Sequence, residues 1–353
     1  MSSGSAAGPA WAVAPFPTSY APDDLTLWLA RAAAPTVTLA EKEARIGAGE
    51  SYGHFLTPEA APTALQQATY QQTLDRNGPA IAADLKGLAR QLEQHAGGHP
   101  LTLVSLARAG FPVGILLQRE LRRRGLETVH GGLSIIRGVG LDRTALQQLL
   151  QARPGSRVVF VDGWTGKGSI RTTLRRSLDG SGVAPTLAAL YDPAGVADLA
   201  GSHHDRLLPH AVLNATVSGL LSRTFLRPDG THAAERLDHL EPWDVSRTYV
   251  DALDTRVQQA EASAVPANRP VHAPDRAVQL ARALGCTDPH RAKPSVGEAT
   301  RVFLRRRPAR LVLQAHTPDT RHLNELAQQH GVPVTLCPEL PYATMALIEG
   351  DDA

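Results

Sequence analysis

Cysteine is almost absent: Cys286 and Cys337 are the only two among 353 residues. Two thiols near the C-terminal end supply neither a disulfide framework nor a metal-ligand cluster, and they fit a reducing, cytoplasmic setting. Lysine is nearly as scarce, with Lys42, Lys86, Lys167 and Lys293 against a large excess of arginine. A lysine kept inside a glycine-rich loop therefore stands out. No apolar run approaches the ~18 residues that a membrane-spanning helix needs. Residues 1–18 show neither a basic start nor an apolar block, which excludes a secretion signal and reads as a disordered lead-in. Lys+Arg 36 against Asp+Glu 34 is too balanced for a generic polyanion binder. The length predicts two domains, and 42% hydrophobic residues suffice for packed cores in both.

From Asp24 to about Gly98 the spacing of apolar residues predicts helices, including Asp24–Ala33 and Ile81–Leu92, with no strand. After Gly97-Gly98 short aliphatic runs alternate with amphipathic segments. Strands are expected at Leu101–Ser105, Gly132–Ile136, Val158–Asp162 and Leu187–Tyr191, with helices at Val113–Arg124, Asp142–Gln151 and Ile170–Leu178. This alternation predicts an α/β fold with a doubly wound, mostly parallel sheet, whose ligands sit beyond the carboxyl ends of the strands. Residues 256–275 read as a helix tail and linker. A second small α/β domain follows over 276–353, with helices near Arg276–Leu284, Val296–Arg306 and Thr320–His330 and strands at Arg310–Gln314 and Val332–Leu336.

The stretch Val158–Ser169 runs from a buried strand through Asp162-Gly163-Trp164-Thr165-Gly166-Lys167-Gly168-Ser169 into a helix. Glycines let backbone amides approach an anion, the helix start adds unpaired N–H groups, and Thr165, Ser169 and Lys167 add donors. The spacing is not that of a Walker A loop. A plain strand-to-helix turn is the alternative, and the acidic residue together with Thr-Gly-Lys-Gly-Ser favours phosphate.

Together with the turn Ala107-Arg108-Ala109-Gly110, this loop resembles the type I phosphoribosyltransferases. Over nearly its full length the chain is similar to the bacterial StiP family, found near tellurium-resistance genes. The carrying stretches are Ser19–Asp24, Ser105–Gly114, Leu133–Gly138, Val161–Ser169, Tyr191–Asp198 and Leu213–Gly219. The resemblance implies a phosphoribosyltransferase-like domain over 19–255. It implies a magnesium-dependent transfer from phosphoribosyl pyrophosphate to a nitrogenous, base-like acceptor in the cytoplasm. Arg108, Asp162 and Arg137 would be catalytic. Ala107, Ala109, Gly110, Gly163, Thr165, Gly166, Lys167, Gly168 and Ser169 would bind the phosphates. Asp192, Asn214, Thr216 and Ser218 would meet the acceptor, although helix capping explains the last three equally well. A homodimer is left open. Because 19–250 holds no cysteine, the expectation excludes proteolysis by this core.

Lys293-Pro294-Ser295-Val296-Gly297-Glu298-Ala299-Thr300-Arg301 and the strand and helix after it resemble the Pelota/L7Ae RNA-binding fold. That resemblance places RNA contacts on Lys293, Glu298 and Arg301. Gly297 stands where the family usually has Asn. A non-enzymatic regulator that senses a nucleotide and acts through RNA is the alternative.

Overall fold

The computed structural model describes residues 15–51 and 53–349. Most of the expected lead-in, residues 1–14, lies outside them. The part inside is not a loose tail: Phe16 is buried and its N–H donates to the Leu27 carbonyl at 2.7 Å.

The architecture is mixed α/β. A six-stranded sheet runs in the order β1 (Thr26–Leu27), β4 (Thr128–Leu133), β3 (Leu101–Leu106), β7 (Arg157–Trp164), β8 (Leu187–Tyr191) and β9 (Leu199–Ser202). All neighbours are parallel. The strands β3 and β8 are buried along their whole length, as expected of a parallel sheet covered on both faces. One face carries α2 (Ala64–Ala96), α3 (Gly110–Arg123) and α6 (Ser246–Gln259), and the apolar cluster on the other draws on α4 (Arg143–Ala152) and α5 (Ser169–Leu178). A capping box starts α2, with Gln66 N–H donating to Thr63 Oγ1 and Thr63 N–H to Gln66 Oε1. Smaller pieces complete the core: β2 (Ala30–Arg31) with β10 (Phe225–Leu226) and β11 (His232–Ala234), the hairpin β5 (Ile135–Ile136) and β6 (Gly140–Leu141), and α1 (Leu39–Gly47).

The helix expected over Asp24–Ala33 is instead extended. Leu25, Leu27 and Leu29 alternate into the core while Thr26 and Trp28 are only half-buried, a strand period that the helical spacing obscured. Asp24, at the start of that segment, pairs with Arg119 at 2.6 Å.

The second domain is a four-stranded sheet in the order β12 (Ala292–Pro294), β15 (Thr344–Ile348), β13 (Pro308–Leu313) and β14 (Val334–Leu336), with helices α7 (Ala273–Ala283), α8 (Val296–Arg305) and α9 (Arg321–Gln329). It is not a loosely tethered module. Val296, Ala299, Val302 and Phe303 of α8 belong to the same apolar cluster as Ala109 and Trp164 of the core.

Candidate ligand site at the domain seam

The strand ends of the core and the start of α8 enclose one cavity of about 930 Å³. The turn after β3 forms its floor. Gly110 is obligatory there, because a Cβ would lie 2.3 Å from the Val161 carbonyl. Gly163 lies against the Ala109 carbonyl in the same way, so the two expected phosphate-binding turns are locked side by side.

Arg108 is not held ready for a ligand. It is 7% exposed, pairs with Glu59 at 2.7 Å and donates to the Leu221 carbonyl. Burial raises the pKa of Glu59, but the guanidiniums of Arg108 and Arg305 outweigh it and hold the carboxyl below its usual range. Asp162 lines the cavity and accepts the Gly163 N–H at 2.7 Å. Burial, opposed by Arg301 and reinforced by Glu298, pushes its carboxyl up to about 7.

The residues expected to read RNA meet the core loop across the seam. Arg301 lies 4.3 Å over the Trp164 ring and pairs with Glu298 at 3.2 Å. Gly297 sits on the same indole, where a Cβ would approach Trp164 Cε2 to 2.3 Å, so a larger side chain has no room. Tyr342 Oη donates to the Gly166 carbonyl at 3.0 Å. Lys167 donates to the Pro289 carbonyl. Burial, then Lys293 and Arg137, lowers the Lys167 ammonium to about 8. Burial also lowers that of Lys293, with Glu298 opposing and Arg137 adding to the shift. Arg137 lies close by, with its guanidinium on His290 Nδ1.

Other expected site residues are occupied elsewhere. Asp192 is fully buried and accepts from Thr165 Oγ1 at 2.6 Å and from the Val196 and Ala197 amides at 3.0 Å, which shapes the loop rather than facing a ligand. Thr216 donates to the Leu213 carbonyl, and Thr216 and Ser218 are both buried away from the cavity. Asn214 does line it, and its Oδ1 accepts from Arg305. Sequence reasoning missed Glu59 and Asp205 altogether. Asp205 accepts the Val296 amide at 2.9 Å and the Ala343 amide at 3.0 Å. An isolated carboxylate whose partners lie in another domain carries no local motif.

Nucleophile candidates are few. The Cys286 thiol is half-buried and donates to the Asp288 carbonyl at 3.3 Å; burial, then Asp288, pushes it up, against a smaller opposing influence from Lys167. Burial, then Glu339, pushes the Cys337 thiol up. Ser105 Oγ lies 2.7 Å from His130 Nε2, but burial of both seals this pair inside the core. Among the described residues no group of three or more His, Cys, Asp or Glu is arranged to hold a metal ion, and no helix is long and apolar enough to cross a membrane.

The fold and seam define an α/β core carrying a C-terminal domain of RNA-binding type: residues 272–350 match the Pelota RNA-binding domain. Residues 18–254 match the family described as "Tellurite-like stress resistance cysteine protease StiP". A curated relative from Acinetobacter baylyi (strain ATCC 33305 / BD413 / ADP1), named "Cysteine protease StiP", is 34% identical over 366 residues, covering 95% of this chain and 94% of its own. The chain belongs to the StiP family. Among solved structures, the hypoxanthine phosphoribosyltransferase of Trypanosoma cruzi is 17% identical over 34% of this chain and 75% of its own, with a TM-score of 0.28. A mutant in a study of an invariant aspartic acid gives 14% identity over 35% and 76%, with a TM-score of 0.29. These likenesses are too weak to carry an activity.

The expectation of phosphoribosyl transfer is thereby corrected, and so is the exclusion of proteolysis. Both the family and the curated relative are described as cysteine protease.

Proposed function

We propose that this chain serves stress resistance as an RNA-binding protein whose contact edge is Lys293, Glu298 and Arg301. The carrying observation is that Lys293 and Lys167 line one cavity at the seam, each held below the ordinary lysine range by burial, with Lys293 adding to the shift at Lys167. A phosphate brought between them relieves both, and RNA supplies phosphates in series. Glu298 offers acceptors to a base edge, and Arg301 offers a planar cation for stacking. Thr165, Gly166, Gly168 and Ser169 supply the turn that sets Lys167 at this edge.

The test is fluorescence anisotropy of a bulged RNA duplex titrated with the full chain at several salt concentrations. Binding is expected to weaken with salt at a log–log slope of about −2 to −3. Lys293→Ala is expected to reduce that slope by about 1. Salt-independent binding, or none, contradicts the reading.

A second reading takes the family's described activity to this chain. It falls on Cys286, whose thiol is near enough to the cavity-lining Lys167 to feel its charge. Cys286→Ala should then abolish hydrolysis of a denatured protein substrate while Cys337→Ala leaves it. Equal activity in all three proteins contradicts it.

A further inference from the structure

The edge assigned to RNA in the preceding reading is covered by the protein itself. Trp164 lies against Gly297 closely enough to exclude a Cβ, and it carries the Arg301 guanidinium on its face. Gly166 faces Glu298, where a Cβ would approach Glu298 Cγ to 3.0 Å. The Trp164 indole is only 7% exposed, so the surface beneath Arg301 is already filled. An RNA base that stacks on Arg301 or reaches Glu298 must displace this loop.

The closed seam also carries opposing forces. Lys167 and Lys293 both line the cavity there, with Lys293 helping to lower the Lys167 ammonium, and like charges gathered in a partly buried place cost free energy. Besides the apolar cluster that α8 shares with the core, specific polar contacts oppose them. Asp205 receives two backbone amides of the second domain, one at the start of α8 and one before β15. Tyr342 reaches the Gly166 carbonyl, and Asp319 takes Asn77 at 2.7 Å and Arg76 at 2.9 Å. Asp205 alone among these holds the second domain at two places, the start of α8 inside the contact edge and the residue before β15.

Resting on the RNA-binding reading, we propose that the closed seam is a self-blocked state. Trp164 and the Gly166–Lys167 loop occupy in cis the edge formed by Lys293, Glu298 and Arg301. RNA gains that edge only when Asp205 releases Val296 and Ala343. The second domain stays tied to the core through the segment around Arg269, whose guanidinium holds the Gly195 and Ala197 carbonyls, so opening is a swing and not a separation.

Because a blocked state lowers apparent affinity by the fraction of molecules that are open, loosening the latch tightens RNA binding. The experiment titrates a labelled bulged RNA duplex with full-length wild type, Asp205→Ala, Tyr342→Phe and the double variant Asp205→Ala/Lys293→Ala. Asp205→Ala is expected to bind about three- to tenfold more tightly than wild type, and Tyr342→Phe about two- to fivefold. The double variant should lose that gain, which places it at the seam. Tyr342→Phe removes one hydroxyl, so it keeps the test decisive if Asp205→Ala fails to fold. Wild-type binding with unchanged or weaker affinity in Tyr342→Phe and any folded Asp205→Ala overturns the self-block and leaves RNA binding standing. No binding by any of the proteins overturns both.

Discussion

At the scale of single residues, Asp162 offers a direct check. Its carboxyl is raised in the folded protein from an ordinary 3.8 to about 7, chiefly by burial. The folded state therefore holds a proton that the unfolded chain releases. The stability this contributes is full below about pH 4 and declines as pH rises to about 7. Asp162→Asn cannot ionise and loses this slope. Urea denaturation should show the variant gaining on wild type between pH 4 and pH 7, by on the order of 1 to 3 kcal/mol above pH 8. Parallel pH profiles for the two proteins would mean that its surroundings do not raise the Asp162 carboxyl as described. Arg108 and Asp192 show why composition of a loop does not reveal employment: both stand in motif-like turns, yet one is spent on Glu59 and the other on Thr165 and two amides.

At the scale of elements, the helix α8 depends on having no side chain at position 297. Gly297→Ala places a methyl group inside the van der Waals radius of the Trp164 indole, a flat side chain already wedged under Arg301. Overpacking of this kind costs about 1–3 kcal/mol. Thermal unfolding of Gly297→Ala should report that loss, and Gly297→Ala/Trp164→Leu should recover part of it. An unchanged midpoint in the single variant would contradict the seam geometry. The strands β3, β7 and β8 were legible in sequence because a parallel sheet buried on both faces demands unbroken aliphatic runs. The edge strand β1 was not, since two paired residues give too short a period to oppose a helical reading. The strands β12 and β15 also went unnoticed: β12 is three residues long and includes Pro294, and β15 follows a Pro-rich stretch that reads as a loop.

At the scale of the whole molecule, both glycine-rich turns and the basic edge of the second domain were visible as separate motifs. Their union was not. Trp164 and Gly297, or Asp205 and Val296, are far apart in the chain and share no spacing that a sequence pattern could register. The seam is where the account is most exposed, since it makes one site of two domains and makes RNA compete with the protein's own loop. Hydrogen–deuterium exchange on the full chain, with and without a bulged RNA duplex, tests this most directly. The account predicts that RNA binding speeds exchange across Gly163–Ser169 and at the Val296 and Ala343 amides while protecting the rest of the edge between Lys293 and Arg301. RNA that binds while Gly163–Ser169 and Ala343 stay as protected as in the free protein would contradict it.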